Sequence, residues 1–209
     1  MEYATNEWEP LKKVIVGSAT GARVPNLDDS VRYVNYADVK DISTIEHGPY
    51  PKIVIDEANE DLDTFANFLK GEGIEVVRPQ PVSPVHYYDY CPRDIVFVHG
   101  ENAIATPMPI KAREFNFSNI RHAFGDEFFV APRHNGVDKF DSRCVGDPDI
   151  LALNEKYPAF DAANAIRAND EILYLVSNSG NKKGAEYLQD ILGNTATVRL
   201  LEGVYSYMH

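Results

Sequence analysis

The alternation of apolar and polar positions predicts short strands and helices along most of the chain. One amphipathic helix is expected over Ala58 to Leu69, with Asp56 as its N-cap and Gly71 and Gly73 after its end. The predicted strands are 11–17, 74–77, 94–98, 103–106, 127–131, 160–166, 171–177 and 196–201, and the further predicted helices are 110–124 and 182–192. Residues 18–52 show no such pattern and are expected to be irregular.

The predicted elements recur in the order strand, strand, helix, strand. Recurrence at intervals longer than a hairpin indicates an internally repeated α/β architecture. An ordinary α+β sheet whose elements happen to follow this order explains the pattern equally well. A chain of 209 residues can bury one sizeable core, so we expect a single domain over residues 1–209.

Composition narrows the classes of partner. The net charge of −12 argues against nucleic acid, whose phosphates require a basic surface. It is compatible with a cationic small molecule, although a well-solvated acidic surface explains it too. No apolar run approaches the ~20 residues of a membrane span, and the N-terminus is polar and acidic. Cys91 and Cys144 do not form a disulfide framework, so a cytoplasmic location is predicted.

Asp94 is the first candidate for chemistry. It follows Cys91-Pro92-Arg93 and is predicted to stand where a β-hairpin begins. A carboxylate there could accept two parallel hydrogen bonds from a planar guanidinium. The alternative is a loop aspartate that pairs with Arg93 or caps a turn.

Asp161 is the second candidate, within Phe160-Asp161-Ala162-Ala163-Asn164-Ala165-Ile166-Arg167. Small residues flank an acid in a segment that otherwise resembles a buried strand, and they leave room for a ligand. Burying an ionised carboxylate costs several kcal/mol unless a charge or hydrogen bonds offset it. A structural ion pair with Arg167 or a histidine is the alternative. The histidines show no zinc-site spacing, and no phosphate-binding glycine motif is present, so no cofactor or metal is predicted.

Together these segments resemble the amidinotransferase family, which includes the L-arginine:glycine and inosamine-phosphate enzymes. The resemblance rests on segments in the family's order, and they run along most of the chain. They are Asn6 to Gly17, Pro92 to Val98, Ala105-Thr106-Pro107-Met108 with Arg113-Glu114-Phe115, Phe160 to Arg167, and the closing Tyr207-Met208-His209.

The resemblance implies the pentein fold, an α/β propeller of ββαβ blades, of which this chain would hold about three of five. It implies transfer of the amidino group of arginine to an amine through a covalent cysteine intermediate. On this sequence it assigns Asp161 and His209 to the catalytic triad and Asp94 to binding of the guanidinium. A histidine near neutral pKa would protonate the departing amine and deprotonate the arriving one.

This chain also departs from the family pattern. The family's nucleophilic cysteine comes later than His209, and neither Cys91 nor Cys144 matches its position, so the chain is expected to be an N-terminal part that is inactive alone. Asn164 stands where the motif commonly has an acid. Open strand edges of an incomplete propeller predict a homo-oligomer. The alternatives are an arginine deiminase-type hydrolase of the same fold, or a guanidine-binding or interaction remnant without catalysis.

Overall fold

The computed structural model describes residues 3–82, 87–126, 128–130, 139–141 and 150–203. Its strands are β1 Lys13–Ile15, β2 Arg23–Val24, β3 Gly48–Pro49, β4 Glu75–Val77, β5 Val96–His99, β6 Asn102–Ala105, β7 Phe129–Val130, β8 Ala165–Ala168, β9 Glu171–Leu175 and β10 Thr197–Leu201. Its α-helices are α1 Asp29–Asn35, α2 Lys52–Gly71, α3 Phe117–Ile120 and α4 Lys182–Leu192.

Two ββαβ units follow one another along the chain. In each, the first two strands are antiparallel and the last strand returns parallel to the second, after a helix. β5, β6, α3 and β7 form one unit, and β8, β9, α4 and β10 form the other. The repeat predicted from the order of elements is therefore present in the structure.

In the segment before these two units, β1 and β4 form a parallel pair, and α2 lies between them in the chain. Its β1 has no antiparallel neighbour among the residues that the structure describes. Within those residues the strands form sheets of two or three, and none closes into a ring. The α/β class is confirmed, whereas the propeller and its number of blades remain predictions.

Apolar clusters join these units. Phe97 and Ile104 of β5 and β6 belong to the same buried cluster as Ile172, Tyr174 and Leu188 of the following unit. Ile15 of β1 packs against Ile95, Met108 and Ile120. Burial of such side chains contributes roughly 1.5–3 kcal/mol each, which holds neighbouring units at fixed positions.

Several predicted boundaries are wrong. The long helix begins at Lys52 with Pro51 at its N-cap, and the predicted cap Asp56 lies one turn inside it, paired with Lys52. Residues 18–52, expected to be irregular, contain α1, whose N-cap Asp28 accepts a hydrogen bond from the amide of Val31 at 3.0 Å.

The predicted helix 110–124 is divided into three short turns. A 3-10 helix at Lys111–Arg113 precedes α3, and another at Arg121–Ala123 follows it. The division coincides with Asn116, which is fully buried and whose side-chain amide donates to Asp89 at 2.7 Å. Because Asp89 holds the side chain of Asn116, it also fixes the backbone of Asn116. That position differs from the one a continuous amphipathic helix would give it.

Candidate active site

Asp94 closes the 3-10 helix Pro92–Asp94, just before β5, and does not begin a strand as predicted. Pro92 sets the turn, because its fixed φ suits a first helical position and its carbonyl accepts from the amide of Ile95 at 3.3 Å. The hydroxyl of Thr106, at the end of β6, donates to the Asp94 carbonyl at 3.1 Å. The backbone of Asp94 is thus held at the start of the hairpin.

The carboxylate of Asp94 has one strong partner. Nη1 of Arg113 donates to its Oδ2 at 2.7 Å, and both side chains are largely buried, at 6% exposure for Arg113 and 17% for Asp94. Arg93, the partner considered from the sequence, has its Nε 3.8 Å from Oδ1 and an exposed side chain. The main partner of Asp94 is therefore Arg113.

Asp161 lies at the N-cap of the 3-10 helix Ala162–Asn164, which contacts the helix that ends at Asp94. Its amide donates to the carbonyl of Ser179 at 2.9 Å, and its Oδ1 accepts from Nδ2 of Asn164 at 3.1 Å. Asp161 is buried. The 3-10 turn replaces the start of the strand predicted over 160–166.

Asn164 links Asp161 to the turn before α4. Its Nδ2 also donates to the carbonyl of Ser179 at 2.7 Å, and its Oδ1 accepts from the hydroxyl of Ser177 at 2.9 Å. The alternative partner of Asp161, Arg167, instead makes two hydrogen bonds to Glu7, at 2.9 and 2.8 Å. The hydrogen-bond partners of Asp161, Asn164 and Ser179, are therefore neutral groups, and Arg167 is paired with Glu7 instead.

The electrostatics of Asp161 follow from this setting. Burial first, and then the charge of Asp94, raise the pKa of Asp161 to about 7, while Arg113 and the amides of Ala163 and Asn164 lower it. A carboxyl group with a pKa near 7 can hold or release a proton at neutral pH, which is typical of catalytic acids and bases.

Cys91 stands beside this pair with a half-buried, free thiol. Burial, and after it the charge of Asp94, raise the pKa of the thiol. Its carbonyl oxygen accepts from Nη2 of Arg113 at 2.9 Å. A nucleophilic cysteine needs the opposite shift, toward the thiolate.

The structure thus places Asp94 and Asp161, two of the three residues predicted for the site, on short helices that are in contact. His209 and Cys144 lie outside the described residues. The sequence reasoning missed the pairing of Arg113 with Asp94, although Arg113-Glu114-Phe115 was among the segments that carry the resemblance. No local spacing signals that pair, because the hairpin β5–β6 separates its members.

No family model matches the chain, but curated proteins do. The inosamine-phosphate amidinotransferase 1 of Streptomyces griseus is 37% identical over 222 aligned positions, which cover 98% of this chain and 63% of that protein. The mitochondrial glycine amidinotransferase of Danio rerio is 30% identical over 227 positions, covering 95% of this chain and 54% of the relative. The chain is homologous to the amidinotransferases. It spans less than two thirds of the length of these relatives.

Solved structures agree with this assignment. An inosamine-phosphate amidinotransferase from Streptomyces griseus superposes with a TM-score of 0.89 at 36% identity, over 100% of this chain and 65% of that one. A dimethylarginine dimethylaminohydrolase from Pseudomonas aeruginosa reaches a TM-score of 0.56 at 16% identity, over 93% of this chain and 62% of that one. That second likeness concerns the fold alone, which is pentein-like.

Two further observations bear on ligands and surroundings. The described ranges contain no group of three or more His, Cys, Asp and Glu side chains arranged to hold a metal ion. None of the helices in the described part of the chain combines the length and the apolar composition that a bilayer span requires. The homologues named above are the basis on which a function can be proposed.

Proposed function

We propose that this chain supplies the guanidino-binding part of an amidinotransferase that moves the amidino group of arginine to an amine. One observation supports the proposal: the short helices that carry Asp94 and Asp161, which the family pattern assigns to substrate and catalysis, are in contact, and the charge of Asp94 acts on the carboxyl of Asp161. Homology to amidinotransferases over 98% of the chain supports it.

The roles follow from charge and geometry. A guanidinium is a planar cation with a fork of N–H donors, so buried carboxylates can fix both its plane and its position. Asp94 is proposed to hold the cation. Asp161, whose pKa of about 7 lets it change protonation state at neutral pH, is proposed to hold the imidazole of His209 and to stabilise its cationic form.

The proposed reaction has two balanced halves. A cysteine thiolate bonds to the guanidinium carbon, the bond from that carbon to the ornithine nitrogen breaks, and the imidazolium of His209 gives that nitrogen its proton. The acceptor amine then attacks the same carbon, the carbon–sulfur bond breaks to regenerate the thiolate, and the imidazole takes the amine proton.

We propose that the attacking thiolate belongs to a cysteine other than Cys91. Its thiol is half-buried beside Asp94, and both burial and that negative charge raise its pKa. Cys91→Ser is therefore expected to leave turnover by the intact enzyme within about twofold of the unsubstituted enzyme, whereas loss of the true nucleophile can cost ~10⁶ in rate. Loss of turnover in Cys91→Ser on that scale would instead assign the thiolate to Cys91.

Three further proposals concern the domain organisation, the location and the oligomeric state of the protein. A single domain over residues 1–209, a cytoplasmic location and a homo-oligomer formed through open strand edges remain proposals. The acceptor is proposed to be a small primary amine; glycine, lysine and an inosamine are the candidates to try.

Product analysis tests the proposed function. The protein that carries this chain is incubated with arginine and each candidate amine, and ornithine and citrulline are measured. Ornithine formed only in the presence of an amine supports amidino transfer. Citrulline would assign it to hydrolysis, the activity of a deiminase of the same fold, and arginine left intact would favour a remnant without catalysis.

A further inference from the structure

Arg113 is a buried arginine beside the proposed site. Its Nη1 donates to Asp94 Oδ2 at 2.7 Å, and its Nη2 donates to the carbonyl of Cys91 at 2.9 Å. Its guanidinium carbon lies 4.9 Å from the centre of the Tyr88 ring. Two hydrogen bonds in the plane and a ring against the face fix the position of the group, which is itself 6% exposed.

This geometry determines which oxygen of Asp94 a substrate can use. Oδ2 already accepts from Arg113, so Oδ1 has more free acceptor capacity for a second guanidinium. Among the described residues, the ion pair at Oδ1 is with Arg93, at 3.8 Å, and that side chain is 65% exposed and can turn into solvent. The incoming cation therefore meets Asp94 at Oδ1.

The charges around the site give Arg113 a second effect. The charges of Asp94 and Arg113 act on the carboxyl of Asp161, Asp161 raises the pKa of the buried Tyr174, and Asp94 raises that of Cys91. Two neighbouring buried carboxylates do not both stay ionised unless a cation compensates them. Among the described residues, Arg113 is the cation that lowers the pKa of Asp161. It therefore favours the state in which the carboxyls of Asp94 and Asp161 are both ionised.

We propose that Arg113 is a positioning residue of the guanidino site: it holds Asp94 by Oδ2, leaves Oδ1 for the substrate and offsets one of the two carboxylate charges. This inference rests on the proposed function, because it concerns how the same site receives its substrate. Near pH 7, removing the Arg113 charge does not make the site more anionic, since Asp161 then keeps its proton.

The pH dependence of arginine affinity tests the inference. Calorimetric titrations from pH 5.5 to 8.5 would compare the unsubstituted chain with Arg113→Gln, Arg113→Lys and Asp94→Asn. Arg199→Gln, which removes an exposed pair with Glu171, is the control. Far-UV circular dichroism establishes that each variant is folded.

In the unsubstituted chain, affinity should rise with pH through about 7, as Asp161 loses its proton. In Arg113→Gln the rise should move up by about one pH unit, which weakens binding about fivefold at pH 7 and about tenfold at pH 5.5. Arg113→Lys should restore the midpoint but not the full affinity, because an ammonium cannot span Asp94 and the Cys91 carbonyl as the fork does.

Two results would overturn the inference: an Arg113→Gln profile that coincides with the unsubstituted one, or an Arg113→Lys profile displaced as far as that of Arg113→Gln. The first result, combined with loss of binding in Asp94→Asn, would remove only the role of Arg113 and leave the proposed function standing. If the unsubstituted chain binds no arginine at any pH, the proposed function fails and this inference fails with it.

Discussion

Asp94 acts on Asp161 through space: its charge is second only to burial in raising the pKa of that carboxyl to about 7. The two acids come from different ββαβ units, and the short helices that carry them are in contact. Because of this interaction the carboxyl of Asp161 titrates near neutral pH, and its ionised form lowers the stability of the folded chain. Both effects can be measured.

Replacing Asp161 should stabilise the chain in a pH-dependent way. Its carboxyl binds a proton with a pKa of about 7 in the folded chain and near 3.8 in the unfolded one, so the folded chain holds more protons between those values. Stability contributed by this group is therefore lost as pH rises from about 4 to about 7. Asp161→Asn should show a gain in unfolding free energy that is roughly 2–4 kcal/mol larger at pH 8 than at pH 4.

Urea unfolding of both proteins at the two pH values measures this difference. A gain of the same size at pH 4 and at pH 8 would mean that the charge of Asp161 is not the cause.

Replacing Asp94 should weaken the fold. Asp94→Asn leaves the buried guanidinium of Arg113 without its ionic partner, so the free energy of unfolding should fall by about 2–4 kcal/mol at pH 7. Asp56→Asn is the matched control, because Asp56 also pairs with a cation, Lys52, but both are exposed. That control should change stability by less than about 0.5 kcal/mol.

Chemical denaturation of the two variants decides the point. Equal losses in Asp94→Asn and Asp56→Asn would contradict the account of Arg113 as a buried, dependent charge.

Gly184 of α4 packs closely against Tyr174 and Ala159, so a larger side chain at this position should clash. A Cβ at Gly184 would lie 2.6 Å from the hydroxyl of Tyr174 and 2.9 Å from the carbonyl of Ala159, distances that real Cβ atoms do not adopt. Gly184→Ala should therefore cost about 1–3 kcal/mol, although alanine favours helices. Gly71→Ala, at the end of α2 with open space around it, should be neutral or slightly stabilising.

Thermal unfolding of both glycine variants is the measurement. A Gly184→Ala variant as stable as Gly71→Ala would show that α4 can move away from Tyr174, and the turn before it would then be less firmly held than described.

Local patterns predicted some elements well. The helix 182–192 appears as α4 with the predicted bounds, because its ends are set locally: Asn181 accepts from the amide of Gly184 at 2.8 Å, and Gly193 has a φ of 56°. Such caps and left-handed glycines are visible in the sequence.

Features that depend on distant partners could not be predicted. The break in the helix 110–124 reflects Asn116 bonding to Asp89, and the orientation of Asp94 reflects Arg113. The family pattern assigned roles to Asp94 and Asp161 and included Arg113 in one of its segments, but it gave Arg113 no role. Burial and charge, which set the pKa of Asp161, exist only in the folded chain.

The most direct test of the central claim is a carbon-13 NMR titration of the Asp161 carboxyl with and without saturating arginine. A guanidinium bound beside Asp94 and Asp161 favours the ionised carboxylate, so the midpoint should fall from about 7 by about one pH unit or more. Ornithine, which lacks the guanidinium, is the control and should leave the midpoint unchanged. A midpoint that stays the same when arginine is added would contradict the claim that the guanidinium binds at Asp94, beside Asp161.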